Sequence, residues 1–429
     1  MTKLAIDRRV VLFGGSALAG ALAFGGLGRP ALAQAKPKVV VIGGGPGGAT
    51  VAKYIAKDSG GAIEVTLVEP ARQFTTCFFS NLYLGGLRDF ASITHGYDAL
   101  ATNYGVKLVH QAAAAIDRDK RLVRLADGSD LPYDRLVVAP GIDLKFDSVP
   151  GYSEAAAEIM PHAWKAGPQT QLLKAKLAAV SDGGLVVMLA PPNPYRCPPG
   201  PYERVSMMAH VLKSSGRGKA KIIVIDAKEK FSKQGLFQEG WEKYYPGMIE
   251  WQDPTMHGGV KGVDASAMTV KTDFETYKAD LVNVIPAQMA GKIAREAGLT
   301  NQTGFCQIDP ASMKSVSDPN IHVVGDACIP GDMPKSGFAA NSQAKVAAMI
   351  VRGELAKSRT FPARYANTCW SLITPEDAVK VGGRYEPGDG KIKEIEGFIS
   401  KPKESAELRR QTLDENLGWY AGITADIFG

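Results

Sequence analysis

The chain has only five cysteines and six histidines in 429 residues, and no two cysteines stand in a Cys-x-x-Cys pair. Without that spacing and without a His-rich tract, neither a structural zinc site nor a cysteine-ligated iron–sulfur cluster is expected, and no metal is assigned. Cys-x-x-Cys-His is missing too, so any c-type haem must sit on another chain. Basic runs are also lacking. The formal charge is +6, of which the first thirty-five residues hold +3 (Lys3, Arg8, Arg9 and Arg29 against Asp7), and the remaining +3 is spread along the chain. Nucleic-acid binding has no support in that distribution. Beyond residue 35 no apolar stretch is long enough to span a bilayer, so no integral membrane segment is expected in the mature chain. Internal repeats and low-complexity tracts are absent.

The long apolar run that does occur lies from Val10 to Leu27, after the twin arginines Arg8 and Arg9. Five glycines make it weakly hydrophobic and poorly helical, and the small-residue ending Ala31-Leu32-Ala33-Gln34-Ala35 follows it. Residues 1–35 therefore read as a cleaved twin-arginine export signal, the type that passes already folded proteins. The expected location is the periplasm, where a disulfide persists.

Next comes an apolar strand, Lys38-Val39-Val40-Val41-Ile42, running straight into Gly43-Gly44-Gly45-Pro46-Gly47-Gly48. A helix is expected from Ala49 to about Lys57, then a strand from Ile63 to Val68 that ends on Glu69. This order is a dinucleotide-binding fingerprint. Gly43, Gly45 and Gly48 let the backbone approach a pyrophosphate, the helix N-terminus stabilises its charge, and Glu69 takes ribose hydroxyls. Two later segments select FAD. Leu136-Val137-Val138-Ala139-Pro140-Gly141 reads as the strand and turn that return the chain to a flavin domain. Asn320 to Val324 is a second buried strand, ending in Gly325-Asp326, an acid placed for the FAD ribitol and pyrophosphate.

Between these segments a second nucleotide domain is expected, yet its strand Gly184-Leu185-Val186-Val187-Met188-Leu189-Ala190 is followed by a proline-rich run from Pro191 to Glu203. Proline rings remove the N–H groups that would cradle a second pyrophosphate, so no NADH site is expected. On the residues alone Cys77 is a buried core thiol, a redox thiol or a flavin-linking thiol. Cys197 reads as a rigidly presented thiol or half of a structural disulfide, and Cys369 as a packed or a redox thiol. Glu203 reads as a proton shuttle or as one half of an ion pair with Arg204. The loop at Lys335 opens a helix expected from Asn341 to Arg352, and a helix N-terminus with Lys335 would stabilise an anionic reduced flavin. Cys306 and Cys328 read as small core residues.

In the Thr76-Cys77 loop, in the segment from Pro194 to Glu203, in Met333-Pro334-Lys335-Ser336-Gly337-Phe338-Ala339-Ala340-Asn341-Ser342-Gln343-Ala344 and in Asn367-Thr368-Cys369-Trp370-Ser371-Leu372, the chain resembles the flavoprotein subunit of flavocytochrome c sulfide dehydrogenase, a relative of sulfide:quinone oxidoreductases. The resemblance implies an α/β fold with two Rossmann-like domains arranged as in glutathione reductase, plus a small C-terminal α+β domain. The FAD domain would comprise 36–150 and 280–355, the second Rossmann-like domain 151–279, and the C-terminal flavin-binding and interface domain 356–429. It implies a thioether from Cys77 to the 8-methyl carbon of FAD, a redox disulfide between Cys197 and Cys369, sulfide as substrate and a c-type cytochrome subunit as electron acceptor. Two alternatives are a sulfide:quinone oxidoreductase at the membrane and a weakly catalytic partner of a sulfur-oxidation cytochrome. The tail from Ala406 to Phe428 has too few apolar positions for firm membrane insertion. Tyr365, Trp370, Trp419, Tyr420 and Phe428 would cap the flavin pocket or meet the partner.

Overall fold

Runs such as Val39-Val40-Val41 and Leu136-Val137-Val138 have no polar alternation, so they fold as strands buried on both faces of a parallel sheet. In the computed structural model, which describes residues 35–429, they form the centre of a six-stranded sheet. Its order runs Lys314–Ser315, Asp318–Val323, Arg135–Val138, Lys38–Ile42, Glu64–Val68, Lys107–Val109. All neighbours are parallel except the short edge strand Lys314–Ser315. Ile42 pairs with Val68 on one side and Val138 on the other, so the turns that follow, at Gly43, Glu69 and Ala139, open at one edge of the sheet. A crevice outside the carboxyl ends of such strands is where this architecture binds a nucleotide. The export signal expected over residues 1–35 lies, but for Ala35, outside the described residues.

The helix after the first strand spans Pro46–Asp58, three residues earlier than the sequence reading, because Pro46 fits a first helical turn that needs no N–H. A second parallel sheet has the order Ile249–Gln252, Lys221–Asp226, Leu185–Ala190, Leu281–Val284. Its last strand moves the boundary expected at 279/280: Leu281 to Val284 pair with Val186 to Leu189, so they belong to the second sheet, and the chain leaves it only afterwards. Ile142–Lys145 and Ala287–Ala290 pair antiparallel as the two crossings between the sheets.

The C-terminal module is a three-stranded antiparallel sheet, Tyr365–Thr374, Asp377–Gly388 and Lys391–Ile399, followed by the helix Ala406–Phe428. That helix returns to the first domain, where Lys53 Nζ donates to the Ala425 and Asp426 carbonyls at 3.1 and 2.9 Å. Among the described residues no helix is long and apolar enough to cross a membrane.

Candidate functional site

Gly43 leaves its strand at φ +99°, and a Cβ there would lie 2.3 Å from the Ala139 carbonyl oxygen. Gly48 is tighter still, since its Cβ would fall 1.8 Å from the Gly43 oxygen, so the helix can meet the strand only through glycine. The Gly44 N–H donates to Glu69 Oε2 at 2.8 Å and the Ala71 N–H to Oε1 at 3.0 Å, which fixes the carboxylate at the strand end. Above this cradle lies a cavity of about 450 Å³ lined by Gly43, Gly45, Glu69, Cys77, Ala139, Gly141, Gly325 and Asp326 among others. Asp326 Oδ1 is buried there without a hydrogen-bond partner, and its other oxygen faces Arg196 Nη1 at 3.7 Å. A glycine cradle, a fixed ribose acid and an orphaned carboxylate oxygen fit the demands of FAD. The helix Gly337–Ala356 begins four residues before the expected Asn341, capped by Ser336 Oγ, which accepts from the Ala339 N–H at 3.0 Å. Ser336 and Gly337 therefore bring a helix N-terminus to the cavity wall.

A smaller cavity of about 60 Å³ adjoins the first, sharing Cys77, Arg196, Asp326, Ser336 and Gly337 with it. Cys77, Cys197, Cys369 and Glu203 all line this space, and Phe338, Trp370 and Trp419 wall it with aromatic rings. It has room for a hydrosulfide. Each cysteine comes from a different element. Cys77 sits in the loop before a short helix, where Thr76 Oγ1 and Tyr420 Oη lie 3.0 Å apart and tie the loop to the C-terminal helix. Cys197 precedes the helix Gly200–Ser214 at φ +55°, a strained conformation for a non-glycine residue, held because its N–H donates to the Lys335 carbonyl at 2.7 Å. Cys369 lies buried on the strand Tyr365–Thr374.

All five thiols are free. Burial, reinforced by Cys369, Cys77 and Glu203, pushes the Cys197 thiol well above its ordinary range, and burial likewise raises Cys369. Burial also raises Glu203, against the pull of its bonds from Asn81 Nδ2 at 2.8 Å and the Leu372 N–H at 2.9 Å. The ion pair weighed for Glu203 and Arg204 does not form. Both side chains are buried, but Arg204 turns away to the His162 and Ala163 carbonyls and Asn283 at 3.0, 2.7 and 3.1 Å, with its guanidinium stacked over Trp164.

Lys233 is a residue that sequence reasoning missed. Its Nζ is buried against the module, donating to the Cys369 carbonyl at 3.0 Å and Ser371 Oγ at 2.9 Å. Burial lowers it to about 8, opposed by the neighbouring Cys369, Glu203 and Cys197. In the run Lys228-Glu229-Lys230-Phe231-Ser232-Lys233 nothing in the residue types separates it from the exposed Lys230. Its left-handed backbone, φ +62°, which turns the side chain inward, leaves no trace in residue identity.

Lys335 and Asn341 lie off the nucleotide cavity. Lys335 Nζ donates to the Asp326 carbonyl at 2.9 Å and to the Cys328 carbonyl, bracing the Gly325-Asp326 turn from behind. Asn341 Nδ2 ties two helices, donating to Thr50 Oγ1 at 3.0 Å and Asp426 Oδ2 at 2.9 Å. Cys306 and Cys328 are fully buried next to each other. In the second sheet Asp226 ends its strand where a ribose acid would stand. It instead accepts from Tyr202 Oη at 2.5 Å, Trp251 Nε1 at 2.9 Å and Lys228 Nζ at 2.6 Å, and Phe231 stacks on Tyr202.

A glycine cradle open to a cavity on one Rossmann sheet, and on the other a strand-end acid already bonded to protein groups, define a flavoprotein of the two-dinucleotide-domain class. Residues 37–184 match the pyridine nucleotide-disulphide oxidoreductase family, residues 170–286 the central part of the sulfide dehydrogenase [flavocytochrome c] flavoprotein chain, and residues 361–428 the flavin-binding part of flavocytochrome c sulphide dehydrogenase. A 44-residue stretch, 10% of this chain, is 59% identical to the flavoprotein chain of that enzyme from Chlorobaculum thiosulfatiphilum and covers 90% of that sequence. The mitochondrial sulfide:quinone oxidoreductase of Mus musculus is 23% identical over 71% of this chain and 67% of its own length. The crystal structure of the sulfide:quinone oxidoreductase from Aquifex aeolicus superposes with a TM-score of 0.74 at 18% identity, covering 91% of this chain and 92% of that one, a likeness of fold. The chain belongs to the flavocytochrome c sulfide dehydrogenase flavoprotein family, related to the sulfide:quinone oxidoreductases, and FAD is its cofactor.

Proposed function

We propose that the protein oxidises sulfide in the periplasm through a disulfide between Cys197 and Cys369, beside an FAD bonded to Cys77, and delivers electrons to a c-type cytochrome subunit. The observation that carries this reading is the 60 Å³ pocket in which Cys77, Cys197 and Cys369 meet, one wall of which is shared with the nucleotide cavity. Hydrosulfide attacks one sulfur of the disulfide. A new S–S bond forms, the protein's own S–S bond breaks, and the other cysteine leaves as a thiolate with the electron pair. A second hydrosulfide takes the outer sulfur away as HSS⁻, which leaves both cysteines reduced. Two HS⁻ thus become one HSS⁻, one proton and two electrons, and FAD, when bound, supplies the two-electron acceptor that lets the disulfide re-form.

Within this scheme Glu203 receives protons, because it is the carboxyl group lining the pocket that no ion pair ties down. The saturated Asp226 and the stacked Phe231 argue against NADH as donor or acceptor. A one-electron carrier on another chain is then the acceptor that suits an exported flavoprotein. The test adds sulfide to the purified protein together with its co-purifying cytochrome. Flavin bleaching followed by haem reduction is expected; quinone reduction in lipid vesicles with a silent haem would reassign the acceptor, and no bleaching at all would remove the sulfide reading.

A further inference from the structure

The buried charges set against the cysteine pair are Glu203, on the wall of the sulfur pocket, and Lys233, whose ammonium bonds the Cys369 strand, while Arg196 and Asp326 offset each other and Arg204 is turned to the His162 and Ala163 carbonyls. His162, packed beside Arg204, is lowered to about 3 by burial and stays neutral. With both thiols protonated these charges balance, and a thiolate formed beside the Lys233 ammonium costs less to bury than one without a counter-charge. The groups facing Lys233 are Cys369 on its strand, Cys197 before the Gly200–Ser214 helix and Glu203 on that helix, and the neighbouring strand adds only the Val379 carbonyl at 3.4 Å.

We propose that Lys233 is a positioning residue for the sulfur chemistry: its ammonium, pinned to the Cys369 carbonyl and Ser371, holds a fixed positive charge against the cysteine pair so that the sulfur released when the disulfide opens leaves as a thiolate. The inference rests on the disulfide reading above. No atom is exchanged with Lys233. The S–S bond breaks toward the side that carries the cation, the departing sulfur keeps the electron pair, and the ammonium lowers the energy of that charge without giving up a proton. A lysine suits this role because its three donors hold the Cys369 carbonyl, Ser371 Oγ and the Val379 carbonyl, which fixes the ammonium against the strand that carries Cys369. Packing alone does not explain it. A methionine would fill the same space without desolvating an ammonium.

The test titrates the ultraviolet thiolate absorbance of the dithiol-reduced holoenzyme against pH, as a difference from Cys369→Ser and from Cys197→Ser, in wild type, Lys233→Met, Lys233→Gln and Lys233→Arg. Both neutral variants are expected to carry at least tenfold less thiolate at a given pH, with the larger change at Cys369, and Lys233→Arg to restore most of it. Superimposable curves for wild type and either neutral variant would overturn the proposal. If both neutral variants fail to fold, Glu203→Gln takes their place: removing the opposing charge must raise the thiolate fraction, and an unchanged or lower fraction overturns the proposal. Because the titration contains no sulfide, a wild-type flavin that sulfide cannot bleach would sink the substrate reading while leaving the Lys233 result to be judged by itself.

Discussion

The Leu372 N–H donates to Glu203 Oε1 at 2.9 Å, and this bond joins the strand that carries Cys369 to the helix that Cys197 precedes. The second Glu203 oxygen accepts from Asn81, four residues beyond Cys77, so one carboxylate fastens the neighbourhoods of all three cysteines. A group so placed fixes the geometry of the site, and the proposed mechanism also gives it the protons.

Glu203→Gln separates the two roles, since glutamine retains an acceptor oxygen but cannot take a proton. Burial raises Glu203 above the ordinary carboxyl range, so the wild-type carboxylate is lost as pH falls through that raised value. Sulfide-driven flavin bleaching in wild type should therefore show an acidic limb. The variant is expected to bleach roughly a hundredfold more slowly and without that limb. A variant that keeps the wild-type limb would assign the titration to another group.

Cys197→Ser and Cys369→Ser each remove the electrophilic sulfur. Stopped-flow bleaching by sulfide should be abolished in both, while chemical reduction by dithionite stays normal. Normal bleaching in both single variants would mean that sulfide reaches the flavin without a disulfide.

The framework of the site is legible in residue order because it depends on local rules. Gly43 and Gly48 are forced by backbone contacts that reject any side chain, and Glu69 follows from the length of its strand. Lys233 and the quenching of Asp226 are not legible in the same way. Each depends on contacts between residues far apart in the chain, Lys233 with Ser371 and Asp226 with Trp251, and nothing in their immediate sequence reports them. The boundary at residue 280 failed for a related reason. Leu281 to Val284 is as apolar as a strand of either sheet, and only its pairing with Val186 to Leu189 assigns it. A lysine ahead of a helix N-terminus reads as a cation for the reduced flavin, and that Lys335 Nζ folds back onto the Asp326 and Cys328 carbonyls has no signal in residue order.

Cys77 borders both cavities, which is where a sulfur must lie to bond a flavin that also faces the cysteine pair. Acid denaturation of wild type should leave the yellow chromophore on the precipitated chain. Cys77→Ala should release it into the supernatant, and mass spectrometry of the wild-type peptide around Cys77 should show the added flavin. Release from wild type would disprove the thioether.

Acid should also weaken the fold through a residue remote from catalysis. His322 is fully buried on the strand Asp318–Val323; its Nδ1 lies 3.0 Å from the Ser312 carbonyl and its Nε2 has no partner. Burial lowers it from 6.5 to about 4, so between these values the unfolded chain binds a proton that the folded chain refuses. Stability is then intact above 6.5 and is lost as pH falls through that window. The expected loss by pH 5 is roughly 2 kcal/mol from this residue alone. His162, lowered to about 3, adds a similar slope. Denaturant melts of wild type and His322→Gln at pH 7 and pH 5 measure it. The variant starts from lower stability at pH 7 but should lose distinctly less on acidification, and an equal loss in both proteins would show that His322 is protonated in the fold.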